Sequence, residues 1–146
     1  MTQILRAKQE HFDTLFSLIE SMVEESVFSY AKPSKAKIQK LFNYPRGAAF
    51  LAYRDDVCIG FIGAVIDSFF FSDYERATDV GFYILPEYRG GREAFRLLQA
   101  VEQWAKEQGV SEIFMGHSVG GKIEEMKKFY IHQGYKIGGF NSMKKL

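Results

Sequence analysis

The chain has 146 residues, 47% of them hydrophobic, and a formal net charge of +1 from 19 basic and 18 acidic residues. This length fits one globular domain over residues 1–146, and the balanced charge gives no field that would attract nucleic acid. No apolar run approaches the roughly 20 residues of a membrane span, and the N-terminus lacks a signal-like apolar stretch. The single cysteine, Cys58, excludes an internal disulfide framework. We therefore expect a cytoplasmic protein that binds neither nucleic acid nor membranes.

The first half of the chain predicts strands, two helices and a hairpin. Apolar residues recur at steps of three and four from Phe12 to Val23, which is typical of an amphipathic helix. Pro33 and Ser34 are suited to open a shorter second helix. The turn Arg54-Asp55-Asp56 separates two apolar runs, so a β-hairpin is expected there. The expected strands of this half cover residues 3–7, 48–53 and 57–66.

The second half alternates strands and helices. The expected elements are strands over 77–85 and 112–117, helices ended by Gly109 and Gly134, and closing strands over 135–138 and 141–146. The first of these helices has the inner face Ala94, Leu97, Leu98, Val101 and Ala105. The order β-α-α-β-β-β-α-β-α-β-β predicts an α/β domain around a largely antiparallel sheet. The crossover from Ala77 to His117 implies one parallel pair, because a strand–helix–strand connection aligns its two strands.

A glycine pair precedes the first of these helices, in the stretch Arg89-Gly90-Gly91-Arg92. Glycine loses the most backbone freedom on folding, so two in a row indicate that bare backbone is needed. A helix start directs unpaired N–H groups and positive charge at one place, which suits an anion such as phosphate, and Arg96 adds charge nearby. The stretch matches neither GxxxxGK[ST] nor GxGxxG, which excludes the P-loop and Rossmann sites. On spacing alone, a plain turn with solvated arginines is an equal alternative.

Residues 84–94, ILPEYRGGREA, resemble the acetyl-CoA-binding motif of the GNAT N-acetyltransferase superfamily, which commonly reads V-x-P-x-Y-R-G-x-G-x-G/A. Arg89 matches the first position of the motif core Q/R-x-x-G-x-G/A, and Ala94 matches its last position. Arg92 stands where the family usually has the central glycine, and Gly91 lies one residue earlier. The motif is therefore retained with one departure.

A second match lies near the C-terminus, where FYIHQGY over residues 129–135 is similar to the family signature F-Y-x-x-x-G-F/Y. The asparagine that relatives often carry about two turns before the tyrosine is absent. The order of elements also resembles the family fold, so the resemblance covers nearly the whole chain. It implies a GNAT-like mixed, largely antiparallel sheet flanked by helices, with a central β-α-β crossover that binds the coenzyme.

The resemblance implies that acetyl-CoA is the acyl donor and that a primary amine is the acceptor. The CoA pyrophosphate would lie on the helix-start amides. In this family the strand before the loop splays from its neighbour, so backbone groups near its end would be free to pair with the pantetheine arm. The implied coenzyme-binding residues are Ile84, Leu85, Arg89, Gly90, Gly91, Arg92, Glu93, Ala94 and Phe95.

The resemblance also implies a general acid at Tyr130, which would protonate the leaving thiolate; simple core packing is the alternative role. The attacking amine must be neutral, so a general base is expected. Asp79, on the strand before the motif, and His117, at the end of the fifth strand, are the candidates. Glu75 lies in the preceding loop. No Cys/His cluster has metal-ligand spacing, and we expect no metal.

The acceptor side of the cleft is expected to include the aromatic loop and the first helix. Three consecutive phenylalanines cannot all point inward from one strand face, so Phe70 and Phe71 are candidates for a cavity wall or an interface. Glu24 is a candidate for attracting a cationic amine. We expect a small-molecule acceptor, and the resemblance allows a homodimer. The alternatives are transfer of a different acyl group, a CoA-binding or interaction module without turnover, and a phosphate-binding domain.

Overall fold

A computed structural model describes residues 1–116 and 122–146 of the chain. Its sheet has the order β1-β2-β3-β4-β5. The strands are β1 (Thr2–Arg6), β2 (Gly47–Arg54), β3 (Val57–Ser68), β4 (Glu75–Ile84) and β5 (Ile113–Phe114). The helices are α1 (Phe12–Glu25), α2 (Lys35–Phe42), α3 (Glu93–Glu107) and α4 (Ile123–His132), and single 3₁₀ turns cover Gln9–His11 and Pro86–Tyr88.

The sheet is mixed and largely antiparallel, as the element order predicts. The first four strands pair with their neighbours in antiparallel fashion, and only β4 and β5, which flank α3, run parallel. The predicted hairpin joins β2 and β3 at Asp55, which has a positive φ of 57°. Gly60, in β3, faces a close neighbour, because a Cβ there would lie 2.6 Å from the carbonyl oxygen of Tyr83. The fold class and the β-α-β crossover are therefore confirmed.

Each face of the sheet carries its own apolar core. The α3 and α4 face buries Ile59, Ile62, Leu97, Leu98, Val101 and Tyr130, among others. The α1 and α2 face buries Leu15, Leu18, Leu51, Phe61 and Tyr83. Most of the predicted inner face of α3 is buried, together with Trp104 and a charged residue, Glu93, which is only 3% exposed. The apolar periodicity of the helices thus decides which stripe packs on the sheet.

The structure corrects the predicted strands from residue 112 onward. The fifth strand has two residues instead of six, and the predicted closing strands over 135–138 and 141–146 are not formed. In that tail the apolar residues Ile137, Phe140, Met143 and Leu146 recur every third position, which does not give one apolar face in a strand. Gly139 also has a φ of 98°, which interrupts extended backbone. No helix of the described ranges is long and apolar enough to span a bilayer.

Candidate active site

The site is built around a gap between β4 and β5. The two strands pair only at Ala77 with Ile113 and at Thr78 with Phe114, whereas β4 continues to Ile84. Beyond Thr78, one edge of β4 therefore has no neighbouring strand among the described residues. This is the splayed arrangement that the family resemblance implies.

Backbone groups near the end of β4 are not all available, which corrects one expectation. The N–H of Leu85 donates to the carbonyl oxygen of Ile59 in β3 at 2.8 Å. Because successive residues of a strand direct their backbone groups to opposite sides, the N–H of Ile84 then points to the gap. The carbonyl oxygen of Ile84 accepts a hydrogen bond from Arg89 Nε at 2.8 Å. Ile84, and not Leu85, offers its N–H to a ligand in the gap.

A bulge in β4 lies beside Asp79. The register places Gly63 opposite Gly81 and Ala64 opposite Asp79, so Val80 is the extra residue. Asp79 Oδ1 accepts a hydrogen bond from the N–H of Gly116 at 3.1 Å, and burial raises the pKa of its carboxyl. A carboxyl with a raised pKa at a strand bulge is suited to accept and release a proton.

Tyr130 lies close enough to Asp79 for the charge of the carboxylate to act on its hydroxyl. Burial, and after it the charge of Asp79, raises the pKa of Tyr130. The side chain is 5% exposed, and its hydroxyl has no hydrogen-bond partner among the described residues. A buried hydroxyl is usually paired, so an unpaired one beside a carboxylate indicates a place for a ligand atom or a water molecule. The structure thus brings two of the three predicted catalytic residues together.

Two further residues are candidates for the base from the sequence, His117 and Glu75. His117 lies outside the described residues. Glu75 begins β4 at its far end and forms an ion pair with Arg46, with Arg46 Nη2 3.1 Å from Glu75 Oε1, which lowers the pKa of Glu75. Glu75 is thus committed to another partner. Among the residues that the structure describes, no group of three or more His, Cys, Asp or Glu side chains is arranged to hold a metal ion.

The start of α3 presents unpaired amides, as the glycine pair predicts. Gly90 turns the chain with a φ of 93°, and Arg92 is the N-cap without a side-chain cap. The first α-helical hydrogen bond runs from the N–H of Arg96 to the carbonyl oxygen of Arg92 at 3.0 Å. The preceding amides of residues 93–95 therefore have no partner within the helix, and they add to its positive end.

Glu93 is turned inward and does not face the helix-start site with its side chain. Arg54 Nη2 and Nε donate to its carboxylate at 2.8 and 3.2 Å, and Thr2 Oγ1 donates at 2.7 Å. The Arg54 guanidinium and the Thr2 hydroxyl lower the pKa of Glu93 to about 2. A Cβ at Gly91 would overlap Glu93 Oε1 and lie 2.8 Å from Arg54 Nη2. A side chain at Gly91 would therefore displace the ends of these two side chains and disturb the ion pair, and the side chain of Glu93 holds the loop from behind.

The three arginines of the loop region have different partners. Arg89 Nη1 and Nη2 lie 2.8 and 2.9 Å from the Glu25 carboxylate, and Arg96 Nη1 donates to the carbonyl oxygen of Thr2 at 3.1 Å. Arg92 is exposed and makes no hydrogen bond or ion pair with the described residues. The residue that departs from the family motif is therefore the one whose guanidinium can turn to an anion.

Of the two glutamates at the end of α1, Glu25 and not the predicted Glu24 contacts the loop before α3. Besides Arg89, its carboxylate accepts a hydrogen bond from the hydroxyl of Tyr83 at 3.0 Å, and the bond with Arg89 is the main cause of its lowered pKa. Glu24 is exposed at the end of α1. The steps of three and four that place Leu18 and Met22 on the sheet side also reach position 25, and that signal favours Glu25.

Phe70 and Phe71 lie away from the helix-start site. Phe70 is fully exposed and Phe71 is 69% exposed at the turn between β3 and β4. Phe69 and Phe71 stack at 4.9 Å, and the guanidinium of Arg76 lies 4.2 Å from the ring of Phe69. This turn precedes β4, whereas the helix-start loop follows it, and ten extended residues span roughly 33 Å. The two phenylalanines therefore form a surface cluster.

Solved structures of acetyltransferases have the same fold. AAC(6′)-Iy in complex with the bisubstrate analogue CoA-S-monomethyl-acetylneamine is 20% identical, with a TM-score of 0.79 over 100% of this chain and 98% of that one. The aminoglycoside acetyltransferase meta-AAC0020 from an uncultured soil sample, in complex with sisomicin, is 18% identical, with a TM-score of 0.72 over 99% and 97%. A GNAT family acetyltransferase from Staphylococcus aureus is 18% identical, with a TM-score of 0.67 over 99% and 98%.

No curated protein matches the chain. The structural likenesses describe the fold, because the sequence identities are low. The family assignment comes from the sequence itself, since the model of the acetyltransferase (GNAT) family matches residues 15–135. This range contains the gap between β4 and β5, the start of α3, and both Asp79 and Tyr130. The chain belongs to the acetyltransferase (GNAT) family.

Proposed function

We propose that the protein transfers the acetyl group of acetyl-CoA to the primary amine of a small molecule. The observation that carries this proposal is that the half-buried Asp79 lies where the pairing of β4 with β5 ends, near the buried hydroxyl of Tyr130, which is unpaired among the described residues. Family membership supports the donor and the reaction class. AAC(6′)-Iy and meta-AAC0020, which act on aminoglycosides, support a small-molecule acceptor.

The helix start binds the pyrophosphate in this proposal. The amides of Ala94 and Phe95 donate to phosphate oxygens, and Gly90 lets the anion approach the backbone. Arg92 turns its guanidinium to the same anion. The N–H of Ile84 pairs with the pantetheine arm or with the thioester carbonyl as negative charge develops on its oxygen. Arg89 acts indirectly, because its bonds to Glu25 and to the Ile84 carbonyl hold the end of β4.

Asp79 and Tyr130 move the protons. Asp79 accepts a proton from the ammonium form of the acceptor, directly or through water, and the neutral nitrogen attacks the thioester carbon. The C–N bond forms as the C–S bond breaks, and the Tyr130 hydroxyl gives its proton to the leaving thiolate. The second proton of the attacking nitrogen then passes to the Tyr130 phenolate, directly or through water, which leaves a neutral amide. His117 stays a candidate for the base. A raised pKa keeps Tyr130 protonated until the thiolate forms.

Ligand-dependent melting and thiol release test this proposal together. Acetyl-CoA and CoA should raise the Tm, whereas ATP should leave it unchanged, because binding to the folded state stabilises by RT ln(1 + [L]/Kd). Free thiol should then appear when a primary amine is added to protein with acetyl-CoA. Arg92→Ala should reduce the Tm shift that acetyl-CoA causes. Lys106→Ala, in the last turn of α3, is the matched control and should leave that shift unchanged.

Two outcomes contradict the proposal in different ways. If no CoA ligand changes the Tm, the coenzyme site is wrong. If CoA ligands stabilise the protein but no amine releases thiol, the chain is a CoA-binding module without turnover. An acyl group other than acetyl would appear as faster thiol release from that acyl-CoA. The cytoplasmic location stays a prediction from the single free thiol of Cys58.

A further inference from the structure

An apolar cavity of about 190 Å³ lies between the sheet and the two N-terminal helices. Ile19 and Met22 of α1, Leu41 and Phe42 of α2, and Phe61 of β3 line it, with Val80 of β4. Most of the remaining lining residues are alanine, glycine or aliphatic. Apolar cavities of about 150 Å³ in other proteins bind benzene, so this one has room for a group of that size.

The cavity carries no negative charge that would favour a polycation. Arg6 is the only lining residue with a charged or polar side chain in the described part of the chain. Its Nη2 has a long hydrogen bond of 3.4 Å to the carbonyl oxygen of Gly47, and no described carboxylate pairs with it. A ligand with several ammonium groups would meet this cation and apolar carbon, and it would lose hydration without compensation.

The cavity adjoins the gap in which the chemistry is proposed. Val80 is part of its wall and is also the bulged residue directly after Asp79. Val80 lies beyond the last pair between β4 and β5 and is 46% exposed. Gly63, opposite the bulge, lines the cavity from β3. The cavity wall therefore reaches the residue that follows Asp79, at the open edge of β4.

We infer that the acceptor is a primary amine with a single apolar substituent of about six carbons, such as a hexyl chain or a phenyl ring, and that it is not a polycationic aminoglycoside. This inference rests on the proposed function. The size follows from the cavity volume of about 190 Å³, because apolar cavities of about 150 Å³ hold benzene, which has six carbon atoms.

A chain-length series of amines tests the inference. With saturating acetyl-CoA, kcat/KM is measured by thiol release for ethylamine, butylamine, hexylamine and octylamine, and for benzylamine, kanamycin and spermidine. Each methylene that enters the cavity should raise kcat/KM about fourfold, the factor that corresponds to the transfer free energy of one buried CH₂. The increase should stop near six carbons. Kanamycin and spermidine should be at least about tenfold poorer than hexylamine, since they leave charges beside apolar carbon.

Leu41→Glu provides the matched variant, because Leu41 lines the cavity and is 45% exposed, so the chain should still fold. The variant should lower the ratio of kcat/KM for hexylamine over ethylamine by about tenfold or more, and it should improve spermidine relative to hexylamine. Val57→Glu is the control, since Val57 is 48% exposed and is not a lining residue. It should keep the wild-type ratio. The Tm shift with CoA reports folding of both variants.

The outcomes separate the inference from the proposed function. A steep rise with chain length that Leu41→Glu flattens supports the inference. A flat series, or kanamycin or spermidine turned over more efficiently than hexylamine, overturns the apolar acceptor while acetyl transfer to an amine still holds. If acetyl-CoA stabilises the protein and no amine in the panel releases thiol, both the proposed transfer and the inference are wrong.

Discussion

At the level of single residues, Tyr130 packs in the core, and this position is compatible with its proposed role as general acid. It is buried in the α3 and α4 core, and its ring lies 5.3 Å from that of Tyr135. Its hydroxyl has no partner among the described residues, whereas the hydroxyl of Tyr135 donates to Glu102 at 2.7 Å. Of these two neighbouring tyrosines, only Tyr130 therefore has a hydroxyl without a partner among the described residues, and this hydroxyl lies near Asp79.

Tyr130→Phe should lower kcat by about 10²–10³, the range for loss of a general acid, with little change in the Tm shift that CoA causes. Its unfolding free energy should not fall, because removal of an unpaired buried hydroxyl costs little. Tyr135→Phe is the control and should lose stability by about 1 kcal/mol at unchanged kcat, since it breaks a hydrogen bond. An unchanged kcat in Tyr130→Phe would restrict this tyrosine to packing.

Asp79 should set the acidic limb of the pH dependence of kcat/KM. A base must be deprotonated to act, so activity should fall as the pH drops through its pKa. Burial raises that pKa, and the limb should therefore lie above the usual range of aspartate. Asp79→Asn should remove the limb and lower kcat/KM at neutral pH by about 10²-fold. A limb that persists in Asp79→Asn would assign the base to His117.

At the level of elements, the start of α3 is held by an ion pair that joins distant parts of the chain. Glu93, in the first turn of α3, pairs with Arg54 at the end of β2 and with Thr2 at the start of β1. Gly91 lies against this pair without room for a side chain. The glycine pair thus meets two demands: Gly90 supplies the positive φ of the turn, and Gly91 supplies the space for the ion pair.

Arg54→Met should lower the unfolding free energy, because it leaves the carboxylate of Glu93, a residue that is 3% exposed, without its cation. Arg46→Met is the control and should cost less, since it breaks a pair with Glu75 on the surface, where ion pairs contribute little to stability. Chemical denaturation measures both losses. Equal losses would show that burial of Glu93 contributes nothing to stability.

The ion pair of Arg54 and Glu93 also predicts the direction in which the stability of the fold changes with pH. The pKa of Glu93 is lowered from 4.5 to about 2, so its contribution is fully present above pH 4.5 and is lost as the pH falls toward 2. The difference in stability between the wild type and Arg54→Met should therefore shrink over that window. A difference that stays constant down to pH 2 would contradict the ion pair as its source.

At the level of the whole molecule, the sheet separates two environments that meet at the gap. One face carries α3, α4 and the Asp79 and Tyr130 pair, and the other face carries α1, α2 and the apolar cavity. Because β5 has only two residues, the bulge at Val80 adjoins both. In the proposed reaction, the donor and the acceptor approach the gap from different sides of β4. The homodimer stays a prediction, and the aromatic turn at Phe70 and Phe71 is an exposed apolar surface.

Much of the fold follows from local sequence patterns. The apolar steps of α1 and α3, the turn at Asp55, and the glycines that end α3 and α4 act within a few residues of one another, so the sequence alone predicts these elements. The same holds for the unpaired amides at the start of α3, because any helix leaves its first N–H groups without partners. The match to the family model over residues 15–135 is likewise a property of the sequence.

What the sequence by itself determined is the class of fold, the helix-start amides and the family. Only the tertiary structure decided which charged side chains face the site: Glu93 turns inward to Arg54, Arg89 binds Glu25, and Arg92 keeps an unpaired guanidinium among the described residues. It also decided the two-residue β5 and the place of the apolar cavity. The reason is physical, because ion pairs and strand pairs depend on residues far apart in the chain, whose proximity no local periodicity encodes.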